Sequence, residues 1–133
     1  MLKANFITAQ EAAEKIQDGS TLCTIGMTLV SASESILKAI EKRFETVGHP
    51  ADITLVHSCG QSDRKDGIQH LAHEGLVKRI VGSHWGLQPR WMEMIANSQV
   101  EAYCLPQGQI AQLYRSMACG LPGKMSKVGL GTF

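Results

Sequence analysis

One stretch near the amino terminus decides the fold, and it reads Thr21-Leu22-Cys23-Thr24-Ile25-Gly26-Met27-Thr28-Leu29-Val30-Ser31. Residues 21–25 are β-branched and mostly apolar, which is typical of a short strand buried in a parallel sheet. Gly26 ends this strand. Ser31 lies three residues before Glu34, and this capping-box spacing predicts that a helix starts here. The stretch therefore combines a strand, a loop and the start of a helix, which is the repeating unit of an α/β fold.

The same order of strand, loop and helix occurs three more times along the chain. Further strands are predicted at residues 52–58, 76–81 and 100–105. Because helices separate these short apolar runs, the connections between the strands are parallel crossovers. We therefore predict an α/β fold with a mainly parallel sheet that has helices on both faces.

The predicted helices are marked by the residues at their ends. Thr8 and Glu11 form a capping box for a helix over residues 9–18, which Gly19 is expected to end. Further helices are predicted after Ser31, over residues 68–74, from Pro89 onward, and in the residues that precede Gly120.

The bulk composition excludes some classes of function. The chain has 133 residues, of which 44% are apolar and 19% charged, and its formal net charge is +1. This length fits one domain with a hydrophobic core. The near-neutral charge and the scattered lysines and arginines argue against a nucleic-acid surface. No apolar run reaches the roughly 20 residues that a membrane helix needs, so we expect neither nucleic acid nor a membrane as a partner.

The four cysteines are Cys23, Cys59, Cys104 and Cys119. No two of them form a Cys-x-x-Cys pair, and the first residues are not apolar enough for a signal peptide. We therefore expect free thiols and a cytoplasmic location. Cys23, Cys104 and Cys119 are interpreted as core residues. Cys59 follows a strand and is the one cysteine placed for a nucleophile, although an inert role is favoured.

The predicted site is a rim of loops, because ligands bind beyond the carboxyl ends of the strands in open parallel sheets. Four loops occupy those positions, and we expect them to converge with the glycine-rich tail, residues 120–133. Glycine lets the backbone approach a ligand closely, and the tail carries Lys124 and Lys127, which could face phosphate groups. The four loops are residues 26–30, 59–67, 82–86 and 106–108.

The histidines offer two further candidate sites. His57 and His84 lie near strand ends, where either could donate to a ligand, but a structural role is favoured. His70, His73 and Glu74 could suggest a metal site, since positions three apart share a helix face. No third ligand stands at a recognisable spacing, so a solvated helix face is favoured over a metal.

The remaining conspicuous residues are interpreted as structural. Trp85, Trp91 and Met92 are expected in the core rather than against a cofactor. Asp63 and Asp66 are expected to form turns in a polar loop. No acid, base and nucleophile stand out together, so the residues predict where a ligand binds but not which reaction takes place.

From about residue 8 onward, the chain resembles the amino-terminal segment of family I CoA-transferases, and in particular the fused acyl-CoA:acetate, propionate or 3-oxoacid type. The stretches that carry this resemblance are Asp18-Gly19-Ser20-Thr21, residues 83–90 (Ser-His-Trp-Gly-Leu-Gln-Pro-Arg), residues 101–108 (Glu-Ala-Tyr-Cys-Leu-Pro-Gln-Gly), Gly120-Leu121-Pro122-Gly123 and residues 128–133 (Val-Gly-Leu-Gly-Thr-Phe).

The resemblance implies an enzyme that moves CoA between a short-chain acyl-CoA and a carboxylate such as acetate. In the family, a glutamate carboxylate attacks the thioester and becomes a glutamyl-CoA thioester, which is covalent catalysis. That glutamate is expected beyond Phe133, so no catalytic residue is assigned here and residues 1–133 alone are expected to be inactive. CoA is expected as a substrate, with no tightly bound cofactor and no metal.

The resemblance also implies the domain organisation and the partners. The family is built from two similar α/β halves, either fused or as separate subunits. Residues 1–133 would be the amino-terminal part of the first α/β domain of a truncated CoA-transferase fold, incomplete at its carboxyl end. The expected partners are acyl-CoA, a carboxylic acid and the second half of the enzyme, with the full protein a homo-oligomer.

The substrate-binding residues are assigned from the rim loops and the resemblance together. Gln107 and Gly26 are expected nearest the reacting carbonyl. The family's first loop has glycine and proline where this chain has Leu29 and Ser33, a departure that bears on the shape of the acyl pocket. The assigned substrate-binding residues are Gly26, Met27, Thr28, Gln107, Gly108, Gly129, Gly131 and Thr132.

Two other functions fit the same type of sheet. One is a non-enzymatic module that senses a sugar phosphate, although no DNA-binding helix-turn-helix is present in the sequence. The other is an isomerase or deaminase acting on sugar phosphates, which would need an acid and a base among the rim loops.

Overall fold

The computed structural model describes residues 4–132, and its elements alternate along the chain. Where the chain is described, the strands and helices are α1 (Ala9–Glu14), β1 (Thr21–Thr24), α2 (Glu34–Val47), β2 (Ile53–His57), a 3-10 helix (Gly67–Leu71), β3 (Val77–Gly82), α3 (Pro89–Ala96), β4 (Glu101–Cys104) and α4 (Gln107–Ala118).

The four strands form one parallel sheet in the order β1-β2-β3-β4. The register places Leu22, Leu55, Ile80 and Ala102 side by side across the sheet. All four side chains belong to or pack against the hydrophobic core. The predicted α/β fold with a parallel sheet is therefore confirmed.

One face of the sheet carries the main core. Since the strands follow in chain order and parallel crossovers are right-handed, the connecting segments lie on the same side. Accordingly, Ile40 of α2, Leu71 of the 3-10 helix and Trp91 of α3 are all fully buried in a single cluster with Leu55. The Trp91 indole donates a hydrogen bond to the Ile68 carbonyl oxygen over 2.9 Å, which satisfies its buried polar atom.

The other face is covered in part by α4. Cys23, Val56, Val81 and Tyr103 are aligned there, because neighbours in a strand point to opposite sides. Tyr114 of α4 donates its hydroxyl hydrogen to the sheet, and burial together with the nearby Cys23 thiol raises its pKa to about 12. Helices therefore lie on both faces as predicted, but Tyr103 remains 47% exposed.

The first predicted helix is confirmed at its start and wrong at its end. Thr8 and Glu11 form the capping box, with Thr8 N–H donating to the Glu11 carboxylate over 2.7 Å. The helix ends at Glu14 rather than at residue 18. Its end is fixed by Arg43 of α2, whose guanidinium donates to the carbonyl oxygens of Ala13 and Ile16.

The predicted capping box at Ser31 is wrong. Helix α2 begins at Glu34, its N-cap residue is Ser33, and no side chain caps it. Ser31 has a positive φ of 63°. The Glu34 carboxylate is recruited instead by a distant loop, where it accepts a hydrogen bond from Gly67 N–H over 2.9 Å. The helix predicted over residues 68–74 is the short 3-10 helix.

Several expected core positions are also wrong. Cys23, Cys104 and Cys119 are exposed, and Met92 is 51% exposed on the outer side of α3. Cys23 lies on the thinly covered face, Cys104 is the last residue of the edge strand β4, and Cys119 follows α4, and a linear pattern reveals none of these placements. Within residues 4–132, no helix is both long and apolar enough to cross a membrane.

Candidate functional site

A cleft of about 500 Å³ lies at the carboxyl edge of the sheet. All four predicted rim loops contribute to it, so the predicted convergence of these loops is confirmed. The tail contributes to a neighbouring cavity instead. The residues that line the cleft are Met27, Thr28, Cys59, Gly60, Ser83, His84, Leu87 and Gln107.

The wall after β1 is a tight turn held by backbone hydrogen bonds. Met27 and Val30 exchange N–H···O bonds of 3.1 and 2.9 Å. Gly26 has φ of 142°, and a Cβ there would lie 2.8 Å from the Val30 carbonyl oxygen. Thr28 N–H donates to the Gly60 carbonyl oxygen over 3.1 Å, which ties this turn to the loop after β2. The turn therefore holds Met27 and Thr28 against the cleft.

His57 supports the cleft from beneath rather than entering it. The side chain is fully buried, and its Nδ1 donates to the Cys59 carbonyl oxygen over 3.0 Å. Burial lowers the pKa of His57 to about 4, so the ring is neutral at pH 7. Its Nε2 packs against Gly82, and Trp85 lies edge-on at 5.2 Å between ring centroids. The structural role favoured for His57 is consistent with this packing.

His84, in contrast, enters the cleft. The imidazole lies between two glycines: a Cβ on Gly60 would be 2.7 Å from Nδ1, and a Cβ on Gly86 would be 3.0 Å from Nε2. The residue is exposed. The cleft therefore contains one exposed imidazole, for which two glycines leave room.

Gln107 forms the wall after β4 and is the first residue of α4. The preceding Pro106 is the N-cap residue, and no side chain caps the helix. The first N–H groups of a helix have no acceptor within the helix, so the backbone here offers donors beside the exposed Gln107 amide. Gly108 is the next residue, but it does not line the cleft.

A second cavity of about 520 Å³ shares Ser83 with the cleft. Gly129 and Thr132 of the tail line it, as two of the assigned substrate-binding residues, and the Thr132 hydroxyl donates to the Gly129 carbonyl oxygen over 2.7 Å. The other lining residues are Cys104, Leu105, Pro106 and Val128.

The assigned residues therefore fall into three groups. Met27, Thr28 and Gln107 line the cleft, and Gly129 and Thr132 line the second cavity. The rest line neither: Gly26, Gly108 and Gly131. A further hollow of about 550 Å³ lies around Val77 and Val100, near the amino ends of β3 and β4. Parallel sheets bind ligands at the opposite edge.

Ser83, Leu87 and Gly60 line the cleft but were not singled out by sequence reasoning. Gly60 and Ser83 lie in loops that the topology had already placed at the rim. Ser83 and Leu87 belong to a stretch that carries the family resemblance. The sequence indicates which residues directly follow a strand. It does not indicate the contacts between loops that bring individual residues into the cleft.

His70 and His73 lie in a half-buried ion network rather than on a solvated helix face, so that expectation is wrong. His70 Nδ1 bonds Glu41 and its Nε2 lies 2.8 Å from Glu34. His73 Nε2 lies 2.9 Å from Glu41. Burial alone lowers the pKa of His70, but the bonds from Glu41 and Glu34 outweigh it, and the net shift is upward.

Two residues of this network, His70 and His73, were considered together with Glu74 as a candidate for a metal site. Ligand atoms of Glu34, Asp66 and His70 lie within 4.8 Å of one another. The Lys38 ammonium already lies 3.1 Å from Glu34 and 3.4 Å from Asp66. The Lys38 ammonium thus supplies the positive charge that a metal ion would bring. The arrangement fits an ion network that joins α2 to the 3-10 helix.

Known proteins match nearly the whole chain. A family model described as coenzyme A transferase matches residues 6–133. Caffeate CoA-transferase of Acetobacterium woodii is 39% identical over 131 residues, which cover 98% of this chain and 25% of that protein. The acetate CoA-transferase YdiF of Escherichia coli K12 is 36% identical over 129 residues, which cover 96% of this chain and 24% of that protein.

A solved structure matches equally well. The acyl-CoA transferase YdiF of E. coli O157:H7, a thioester complex with CoA, superimposes with a TM-score of 0.87 at 34% identity, over 96% of this chain and 26% of that chain. The chain spans about a quarter of the length of these relatives. The family match, the identities and the shared fold lead to one conclusion: this chain belongs to the coenzyme A transferase family.

Proposed function

We propose that this chain is part of an enzyme that moves CoA between a short-chain acyl-CoA and a carboxylate such as acetate. Residues 1–133 would form the amino-terminal part of its first α/β domain. The observation that carries this proposal is the cleft at the carboxyl edge, which Met27, Thr28 and Gln107 line in a member of the coenzyme A transferase family. Family membership favours CoA transfer over the two sugar-phosphate alternatives.

The chemistry of the cleft walls suits binding and charge stabilisation. When a nucleophile attacks a thioester, negative charge develops on the carbonyl oxygen, and fixed N–H donors lower the energy of that state. The Gln107 amide is exposed at the cleft, whereas Thr28 N–H is already used by Gly60. We therefore assign Gln107 as the donor to the reacting carbonyl, and Thr28 as a wall residue.

A carboxylate nucleophile must come from outside the cleft walls described here. None of the eight residues that line the cleft is an aspartate or a glutamate. A glutamyl-CoA thioester therefore requires a carboxylate from another part of the full protein. The second half of the enzyme is the proposed source, and a homo-oligomer of the full protein is the proposed assembly.

The second cavity would extend the binding site for CoA. Gly129 and Thr132 line it, and Lys124 lies in the same tail. Because the two cavities share Ser83, an acyl-CoA could place its acyl group in the cleft and its thiol arm along the tail. CoA is a substrate in this proposal. A cytoplasmic location is proposed from the four free cysteines.

The proposal is tested by CoA exchange between acetyl-CoA and propionate, followed as propionyl-CoA by mass spectrometry. The full protein that carries this segment is expected to form propionyl-CoA and to carry CoA covalently on a glutamate. The 133-residue chain alone is expected to form none, because no carboxylate lines its cleft. Exchange by the chain alone would contradict the external glutamate, and failure of the full protein would contradict the proposed activity.

The role of Gln107 is tested with a matched pair of variants. Gln107→Ala removes the proposed donor, and a loss of about 10²–10³-fold in kcat is expected, as for other single donors of this kind. Gln112→Ala is the control, since Gln112 is an exposed glutamine on the same helix that does not line the cleft. Equal effects of the two variants would argue against the assignment.

A further inference from the structure

His84 lines the cleft, and the role assigned to it below rests on the proposed function. We propose that His84 determines which acid the cleft accepts, by a hydrogen bond from its imidazole to an oxygen substituent of the acid. The favoured acids would carry an oxo group, a hydroxyl or a second carboxylate besides the carboxylate that reacts. An acid with a plain alkyl chain of the same length would be disfavoured.

The first support is the space that two glycines leave for the ring. A Cβ on Gly60 would lie 2.7 Å from Nδ1 of His84, and a Cβ on Gly86 would lie 3.0 Å from Nε2. A side chain at position 60 would displace the ring and one at position 86 would crowd it, so Gly60 and Gly86 leave the space in which the imidazole faces the cleft.

The second support is that the ring has hydrogen-bonding capacity to spare. Over residues 4–132, the other four histidines each have a partner: His49 bonds Asp18, His57 bonds the Cys59 carbonyl oxygen, and His70 and His73 bond Glu41. No hydrogen bond from His84 to the described residues is formed. A neutral imidazole has one donor and one acceptor, so His84 can offer both to a ligand.

The third support is the composition of the cleft. Met27 and Leu87 give it apolar walls, and none of its eight lining residues is Asp, Glu, Lys or Arg. The Thr28 and Ser83 hydroxyls already donate to the carbonyl oxygens of Met27 and Ser58. An oxygen on the acid has few competing partners there. A volume of about 500 Å³ also falls within the range of pockets that hold ligands larger than acetate.

His84 would discriminate between two acids through the difference in their binding free energies. A site built around a hydrogen bond rejects the analogue that lacks the matching group, because its own polar atom is then left without a partner. For a single neutral hydrogen bond, the expected discrimination is roughly tenfold. The discrimination should appear in the KM of the acid, since the bond is formed before and during the reaction.

The test compares acetoacetate with butyrate, which differ by one oxo group, as acceptors of CoA from acetyl-CoA in the full protein. We expect wild type to prefer acetoacetate by about tenfold in kcat/KM. His84→Phe has a ring without nitrogen atoms. Its KM for acetoacetate should rise until the preference is lost, while its KM for butyrate stays unchanged. His84→Asn, which restores an N–H donor, should recover part of it. An unchanged preference in His84→Phe, or none in wild type, would overturn the inference.

A binding measurement separates this inference from the proposed function. Imidazole resonances of the ¹⁵N-labelled 133-residue chain are recorded with acetoacetate and with butyrate, and His84 is assigned from its absence in His84→Asn. A shift of the His84 signals with acetoacetate alone supports the inference even if no CoA is transferred. Equal responses to both acids, or none, would overturn it whatever the activity of the full protein.

Discussion

His57 and Gly82 are in direct contact between neighbouring strands, because Nε2 of the buried imidazole occupies the space that a Cβ on Gly82 would fill. The ring cannot turn away easily. Its Nδ1 is bonded to the Cys59 carbonyl oxygen, and Trp85 lies against its edge. This contact couples the floor of the cleft to the packing between β2 and β3.

Gly82→Ala is therefore expected to lower the free energy of unfolding by about 1–3 kcal/mol, the usual cost of an overpacked interior. Urea denaturation measures it. Gly108→Ala is the matched control, because nothing lies within 4 Å of the added methyl group. In α4 this change should be neutral or stabilising by up to about 1 kcal/mol. Equal destabilisation by both variants would contradict the contact.

The buried His57 predicts an acid-sensitive stability. Burial lowers its pKa to about 4, below the value near 6.5 of an unfolded histidine. Between these values the unfolded chain binds the extra proton, so stability rises with pH. The contribution is complete above about pH 6.5 and is lost as the pH falls towards 4. In His57→Asn, which keeps a donor for Cys59, this part of the slope should disappear from denaturation curves recorded across that range.

His70 predicts the opposite slope. Its bonds to Glu41 and Glu34 raise its pKa despite burial, so the folded chain holds the proton longer than the unfolded chain. The stability that the His70 proton contributes is complete below about pH 6.5 and is lost as the pH rises through the raised pKa. The groups that face His70 or its partners are Glu34, Lys38 and Glu41 of α2, Asp66, His73 and Arg90.

The measurement for His70 combines two readouts. Proton titration of the His70 ring by NMR should give a pKa above that of an unfolded histidine. In His70→Gln, the fall in unfolding midpoint above about pH 6.5 should be smaller than in wild type. A His70 pKa below the ordinary value would contradict the network as described.

Trp91 and Met92 are neighbours in α3 with opposite roles. Trp91 is fully buried and bonds the Ile68 carbonyl oxygen, whereas Met92 is 51% exposed. Trp91→Phe removes the bond and some volume, and a loss of about 1–3 kcal/mol in stability is expected. Met92→Ala should stay within about 0.5 kcal/mol of wild type. Thermal unfolding of the two variants side by side tests the burial of each residue.

The sequence was sufficient for the order of elements, because each strand is a short β-branched run between helix signals. The sequence pattern did not predict the helix ends that depend on residues distant in the sequence. Arg43 ends α1 early through bonds to Ala13 and Ile16, and Gly67 recruits the Glu34 carboxylate at the start of α2. Cys23 was expected in the core because both faces of a parallel sheet are usually covered, and a local pattern does not tell which face carries fewer helices.

The site was predictable to the level of loops. The rule for parallel sheets located the rim correctly, and Met27, Thr28 and Gln107 do meet in one cleft. The rule does not tell which atoms of a loop face inward. Gly26 is needed for the turn closed by Val30 and not for contact with the cleft. His84 reaches the cleft because Gly60 and Gly86, which belong to two different loops, leave room for its ring.

The strand order has a consequence for how the chain acquires its structure. Each strand pairs with the strand that precedes it in the sequence, and every crossover lies on the same side. Among the strands within residues 4–132, none has to wait for a later segment to be inserted beside it. Assembly can therefore follow synthesis, with β1 and β2 joined over α2 while the residues of β4 are still being added at the ribosome.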